Sequence, residues 1–434
     1  VSEPSPRRAT IGELRLVAFK SHVGTVLPLA PVTLVQGVSG SGKSNLLDAL
    51  AALSGLAGGA ELAEALAPVR GGLRGCVPHG RQGFRLGCTV ETARSGTVSL
   101  EVAVRTDGEP RIVAERITGA LPGTPPRVLL ATGEEDRARR RINAVWHSDG
   151  RQGDIRAPLS AGSLLAAQLP LRIAGATAGE QRVLTAVEDL LTALREVFPV
   201  DPVPALMRGW VPAGDDARLR GSAANLSAVL ARIQGECRIR YGKLLRSVRT
   251  GSPHPVRELG VLRGDGARVR AALWEAEGAV TGAESMSNGL LRYLAFATVL
   301  LTGPGVLQMS SADVPQVDRL LTVLAEDLDA GLAEGQVAEL LRLAGEVVRH
   351  GHARLLATLR DGAAGAAPEA LVLNCRRDPR TGYSVLEPSS APAPNSVSAP
   401  ARTPTRIPPP PPPPAPPPVP VQAGGGGRGE WAHD

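Results

Sequence analysis

Apolar positions along this chain fall into short runs closed by Gly, Pro or Asp, with longer helical stripes only in its second half. The segments "IGELRLVAF" (11–19), "GTVLPL" (24–29) and "PVTLVQG" (31–37) read as three short strands with turns between them. A helix follows in "KSNLLDALAALSGLA" (43–57), where Leu46, Leu47, Leu50 and Leu53 share one face. "FRLGCTVET", "TVSLEVAVRT" and "RIVAERIT" alternate with period two and predict an antiparallel meander. From about Thr177 the period becomes helical, interrupted by the Pro-rich "FPVDPVPALMRGWVP". No internal repeat and no sustained heptad run occurs, which excludes a long coiled-coil rod.

Near Pro388 the pattern stops. The last segment (388–434) holds a polyproline run, a glycine run and few apolar anchors, too little to offset chain entropy. It is expected to be a disordered tail, extended where Pro-rich and slack where Gly-rich. Such a tail can dock on a partner that binds polyproline helices, although an unspecific solvated tail is the commoner case. The expected organisation is a single α/β domain over 1–387, with the meander and a helical insert spanning 84–285, followed by the tail.

Composition narrows the class. With 434 residues, 43% hydrophobic and only 3% aromatic, the core must be built from Leu, Val and Ala. Cys76, Cys88, Cys237 and Cys375 lie far apart with no CxxC pair, which excludes a zinc ribbon and fits a reducing compartment. The longest apolar run, 293–301, is too short to cross a bilayer. Arg7 and Arg8 do not open an export signal, because Glu13 and Arg15 interrupt the place of its apolar core. The expected location is the cytoplasm. The net charge of +6 is dispersed, and only three of the 48 basic residues are lysines: Lys20, Lys43 and Lys243.

One lysine sits in a motif. "GVSGSGKS" (37–44) fits G-x-x-x-x-G-K-[ST] between an expected strand and an expected helix. Gly37, Ser39, Gly40, Ser41 and Gly42 can turn backbone N–H groups toward phosphates. The helix start at Lys43, Ser44 and Asn45 adds its dipole, Lys43 an ammonium group, and Ser44 a hydroxyl for Mg²⁺. ATP with Mg²⁺ is the expected ligand. A GTPase would need N/T-K-x-D, and none of the three lysines provides it.

A second motif lies far downstream. "SMSNGLLRYLAFATVLL" resembles the "LSxGxxR" signature of ABC-type ATPase heads. With "LRLVAFKSH", "GKSNLLDAL" and "GSAANLSAVLARI" (221–233), the chain looks like the RecF/SMC/OLD-like group of ATP-binding heads. The expected fold is therefore a P-loop NTPase of the ABC-ATPase-like head type. The resemblance implies that Ser287 and Gly289 address the γ-phosphate held by a second copy, giving an ATP-dependent homodimer. It places Lys20 near the phosphates, although a solvated strand-end lysine is as good a reading. It also implies DNA as a partner. The Arg-rich "RIQGECRIRYGKLLRSVR" (232–249) could line a groove for it, while a solvated basic face is the more frequent outcome. The stretch after the acid pair is too short for the nuclease domain of OLD proteins.

The magnesium-and-base motif of such heads is an apolar strand ending in Asp-Glu. Here "TVLAEDLDAGLAEGQ" (322–336) places Glu326 as the Mg²⁺ ligand and Asp327 as the catalytic base, in swapped order. A register with Asp327 on Mg²⁺ and Asp329 as base stays open, as does an acidic helix through Leu321, Leu324, Leu328 and Leu332. Thr322, Val323 and Gly331 favour strand-then-turn. Asp313 is a weaker rival because Ser310 and Ser311 make a poor buried strand. Where the family has a γ-phosphate-sensing "TH", Thr358 is followed by Leu359, and His350 and His352 lie before that strand. Swapped acids and the missing His predict slow hydrolysis. The alternative is a nucleotide-gated scaffold that does not hydrolyse.

Overall fold

The computed structural model describes residues 8–120, 125–150, 153–216, 218–252, 254–275, 278–302, 320–351, 353–360, 362 and 369–389. In chain order the first part runs β1 (Thr10–Phe19), β2 (His22–Pro28), β3 (Val32–Gln36), α1 (Lys43–Ala57) and the one-turn α2 (Leu62–Ala65) and α3 (Gly72–Gly75). The meander follows as β4 (Gly83–Thr92), β5 (Gly96–Arg105), β6 (Arg111–Ala120), β7 (Arg127–Asp136), β8 (Arg141–Trp146) and β9 (Ile155–Ser160). Next come α4 (Leu165–Gln168), α5 (Ala178–Arg195), β10 (Val197–Val200), α6 (Pro204–Met207), β11 (Val211–Pro212), α7 (Leu226–Glu236) and α8 (Arg238–Gly251). The chain continues through β12 (Val256–Gly264), β13 (Arg268–Glu275), β14 (Val280–Gly282), α9 (Asn288–Thr302) and β15 (Leu321–Ala325). It closes with α10 (Glu334–Arg349), β16 (Ala353–Leu359), β17 (Leu371–Arg377) and β18 (Ser384–Pro388).

One mixed sheet carries the architecture, in the order β10-β15-β16-β3-β17-β18-β2-β1-β4-β5-β6-β7-β8-β9. The β10, β15, β16, β3 and β17 strands are mutually parallel. β3 and β15 are buried on both faces, which is why "VTLVQ" and "LTVLA" read as unbroken apolar runs. Period two then deals successive residues to two cores. Val35, Leu324 and Leu356 join α1, α5 and the meander, while Leu34, Val323 and Leu355 join α7 to α10.

The strands at the N-terminus, α1 and the three expected meander strands stand where the sequence places them. The meander is longer than expected, since β7 to β9 continue it with antiparallel pairing. α5 opens on a reciprocal cap: Thr177 Oγ1 accepts from Glu180 N (3.1 Å) and Glu180 Oε2 accepts from Ala176 N (2.7 Å).

Helices make up the larger part of 177–285, but the region also holds β10 and a second antiparallel sheet of β11 to β14. Alternation is hidden there because β11 and β14 are only 2 and 3 residues long and β13 buries Ala271, Ala272 and Leu273 in succession. The Arg-rich segment 232–249 spans two helices, with Cys237 (φ −140°, ψ 86°) between α7 and α8. Lys243 pairs there with Glu346 (2.9 Å) and Arg249 donates to Val256 O (2.9 Å), while Arg238, Arg240 and Arg246 stay exposed. The ordered chain also runs slightly past the expected boundary, with Ser389 N donating to Val372 O (3.0 Å). The tail from 390 onward, Asp313 and His352 lie outside the described residues. Among the described residues no helix is long and apolar enough to cross a membrane.

Candidate functional site

The motif of residues 37–44 forms the link between β3 and α1. Its glycines are required by conformation and by space. Gly37, Gly40 and Gly42 have φ of 150°, 79° and 107°. A Cβ on Gly37 would lie 2.2 Å from Cys375 O, and one on Gly42 would lie 2.1 Å from Ser384 Oγ. α1 starts with no side-chain cap and no acid in its first turn, so its leading amides are left for an anion. Lys43 is buried and curls back to donate to Gly37 O (2.7 Å) and Val38 O (3.1 Å). The Ser41 hydroxyl is buried without a hydrogen-bond partner. Ser39 and Gly40 are exposed at the loop's tip, and Ser44 is half-buried at the helix start. Asn45 is a tie rather than an open donor: its Nδ2 donates to Ser21 Oγ (2.8 Å) and its backbone N to Gly42 O (3.0 Å).

The loop's carbonyls point outward and are met by side chains from distant segments. Ser384 Oγ (2.6 Å) and Cys375 Sγ (3.4 Å) donate to Ser41 O, and Arg377 Nε donates to Gly40 O (3.1 Å). His22, wholly buried on β2, has Nε2 3.0 Å from Gly42 O and Nδ1 3.1 Å from Thr25 Oγ1. The tautomer that suits a carbonyl partner carries its proton on Nε2. Burial lowers the His22 pKa to about 4. The bond to Gly42 pulls it upward and the charge of Arg377 adds to the lowering.

The acid segment is a strand followed by a turn, not a helix. β15 is buried throughout and lies between β10 and β16. Asp327 takes a left-handed φ of 43°, a conformation Asp tolerates better than most residues. Thr358, at the end of β16, shapes the turn: its Oγ1 accepts from Asp327 N (2.8 Å) and its carbonyl from Leu328 N (2.9 Å). Because β3 and β15 flank β16 in parallel register, both end at one edge of the sheet. Two strand spacings separate them, about 10 Å.

The three acids differ in commitment. Glu326 forms an ion pair with Arg70, which also holds Asp48 through Nη2 (2.9 Å). Asp327 is exposed, and among the described residues its carboxylate accepts a hydrogen bond from the Thr358 hydroxyl at 3.4 Å. Asp329 is buried and accepts from Arg360 Nε (2.8 Å) and Arg360 N (3.2 Å). That buried pairing disfavours the register with Asp329 as base. Leu359, where a sensing His was sought, is buried, and His350 is exposed.

Lys20 corrects both of its readings. Its side chain is only 9% exposed, and Nζ binds Asp48 Oδ2 (2.7 Å) and Arg70 O (2.8 Å). It belongs to a chain of alternating charge, Lys20–Asp48–Arg70–Glu326, and is neither at the loop nor in solvent.

The signature segment starts α9 at the surface. Ser287 is exposed, and its Oγ accepts from Leu290 N (3.1 Å) as a cap. Gly289 is buried against the acid turn, where a Cβ would lie 2.0 Å from Gly331 O. Arg292, one turn on, donates to Glu326 O (3.0 Å) and Asp327 O (2.9 Å). The segment's near neighbour is thus the acid turn. Sequence reasoning singled out neither Arg70, His22 and Arg377 nor Ser384. Nothing local marks them, since their role arises from chain segments far apart in sequence.

Neither a family model nor a curated protein sequence matches this chain. Solved structures of SMC heads are similar to it. A structure described as the SmcHead bound to the C-winged helix domain of ScpA is 15% identical, covering 87% of this chain and 97% of its own, with a TM-score of 0.47. The SMC head domain from Thermotoga maritima is 13% identical over 88% of this chain and 100% of its own, with a TM-score of 0.41. An Smc head domain with a coiled coil and joint from Pyrococcus yayanosii is 13% identical over 88% and 97%, at 0.44. Likeness at this level assigns neither a family nor an activity.

Two expectations come from this geometry. Because the His22 pKa is depressed in the fold, acid protonates the unfolded chain first. His22 therefore contributes fully above pH 6.5 and loses about 3 kcal/mol as pH falls from 6.5 to about 4. Urea unfolding across that range should show a steep acid loss that His22→Gln flattens; equal slopes would refute the assignment. Gly289→Ala should push the acid turn off α9, lowering stability by about 1–3 kcal/mol. Thermal unfolding of wild type and variant checks this.

Proposed function

We propose that this protein binds ATP with Mg²⁺ and hydrolyses it slowly. The observation that carries the reading is the shared edge: the glycine loop after β3 and the acid pair after β15 end at the same side of one parallel sheet. The residues fit the ligand. Among the described residues, Lys43 has only loop carbonyls as partners, α1 opens uncapped, and the Ser41 hydroxyl is buried and unpaired.

On this reading the amides of residues 39, 40 and 42–44 and the Lys43 ammonium hold the phosphates, with Lys43 leaving Gly37 O and Val38 O for the β- and γ-oxygens. Ser44 and Glu326 would hold Mg²⁺, which would offset the charge of the phosphates. Asp327, exposed beside them, orients a water and takes its proton. Thr358 and Arg292 fix the turn on which both acids sit. Glu326 must give up Arg70 to serve the metal, a cost that fits slow turnover. Ser287, exposed at the start of α9, would face nucleotide on a second copy, with Gly289 behind it packing that helix start on the acid turn, so dimerisation would require ATP. DNA and a polyproline-binding partner belong to the same reading as candidate partners.

The Arg70–Glu326 pair equally favours a second reading, a nucleotide-gated scaffold without turnover. Asp327→Asn separates the two. For a hydrolase it should cut phosphate release roughly 100-fold or more while ATP affinity stays within about twofold. For a scaffold, wild type and variant release phosphate at the same background rate. Lys43→Ala should weaken ATP binding roughly 10–100-fold by calorimetry. Unchanged affinity would remove the reading altogether.

A further inference from the structure

The β17–β18 hairpin presents one face to the glycine loop. On β17, Cys375 and Arg377 are two apart and so share a face, and Arg377 lies opposite Ser384 of β18. All three reach the loop: Cys375 and Ser384 at Ser41 O, and Arg377 at Gly40 O. Cys375 and Ser384 are buried there, whereas Arg377 is exposed beside the open tip formed by Val38, Ser39 and Gly40.

Charge balance distinguishes Arg377 from its neighbours. Around the site, Lys20 and Arg70 are matched by Asp48 and Glu326, and Arg360 by Asp329. Next to it on β17, Arg376 is matched by Glu387. Arg377 binds only two carbonyls, Gly40 O (3.1 Å) and Gly382 O (2.7 Å), and no carboxylate pairs with it among the described residues. Those bonds use Nε and Nη1, so Nη2 keeps its donors. Lys43 likewise has only carbonyl partners. Two cations without a carboxylate partner among the described residues thus bond the carbonyls of one loop. That arrangement is balanced by an anion of more than one charge.

Resting on the ATP reading above, we infer that Arg377 is a phosphate-binding residue of this site. The β17–β18 hairpin brings it from a distant part of the chain to the tip of the loop that Lys43 closes. Its Nε bond to Gly40 O holds the guanidinium at the exposed tip of the loop. Nη2 supplies a further charged donor to the phosphate chain.

The test is calorimetry of the full chain with MgATP and with magnesium tripolyphosphate, comparing wild type with Arg377→Gln, Arg377→Lys and Lys43→Ala. Arg377→Gln is expected to weaken both ligands about tenfold, with Arg377→Lys recovering part of the loss. Exposure of the side chain means that thermal unfolding without ligand should be unchanged in both Arg377 variants. Equal affinity of Arg377→Gln and wild type for MgATP, while Lys43→Ala loses it, overturns the inference and leaves the ATP reading intact. A loss for MgATP but not for tripolyphosphate also overturns it, placing Arg377 at the base or sugar. A wild-type chain that binds neither ligand overturns both. Should Arg377→Gln fail to fold, the ratio of affinities between Arg377→Lys and wild type for the two ligands decides in the same way.

Discussion

A glycine-rich loop between strand and helix leaves several of its carbonyls without a backbone ladder partner, and such carbonyls need donors from elsewhere in the chain. That constraint organises the middle of this protein. Ser41 O, Gly40 O and Gly42 O are answered by Ser384, Cys375, Arg377 and His22, which come from β18, β17 and β2. The glycine loop is therefore a joint where the two ends of the domain meet, and the shape of the cradle depends on strands remote from it in sequence.

The acid turn is built the same way. Asp327 adopts a left-handed φ only because Thr358 accepts its N–H and Arg292 gathers the carbonyls on either side. Gly289 packs so closely on Gly331 that no side chain fits between them. The start of α9 and the acid pair therefore form one mechanical unit, and a displacement of either is felt by the other. The chain of charge from Lys20 through Asp48 and Arg70 to Glu326 adds a link from this unit to α1, whose first residues belong to the loop.

Charge placement separates structural from binding roles. Asp329 and Arg360 satisfy each other, and Lys20 is absorbed by Asp48. The groups left with unspent capacity are Lys43, Arg377, the Ser41 hydroxyl and the exposed Asp327. They cluster at the edge where β3 and β15 end.

Local pattern alone determined the glycine loop, α1, the three opening strands and the core of the meander, because each is encoded by neighbours in sequence. Period-two alternation, Leu46 to Leu53 on one helical face and G-x-x-x-x-G-K-S need no tertiary partner to be read. The strand through Leu321–Ala325 was legible from Thr322, Val323 and Gly331. What only tertiary structure decided were the parts set by long-range pairing. Lys20 was drawn to Asp48, the stretch 232–249 was split at Cys237, and β11 to β14 formed a sheet of their own. Cys375, Arg377 and Ser384 reached a loop more than 300 residues earlier in the chain. The reason is physical: a side chain's partner is fixed by which strands lie side by side, and the order of strands in a sheet is not written in any local window.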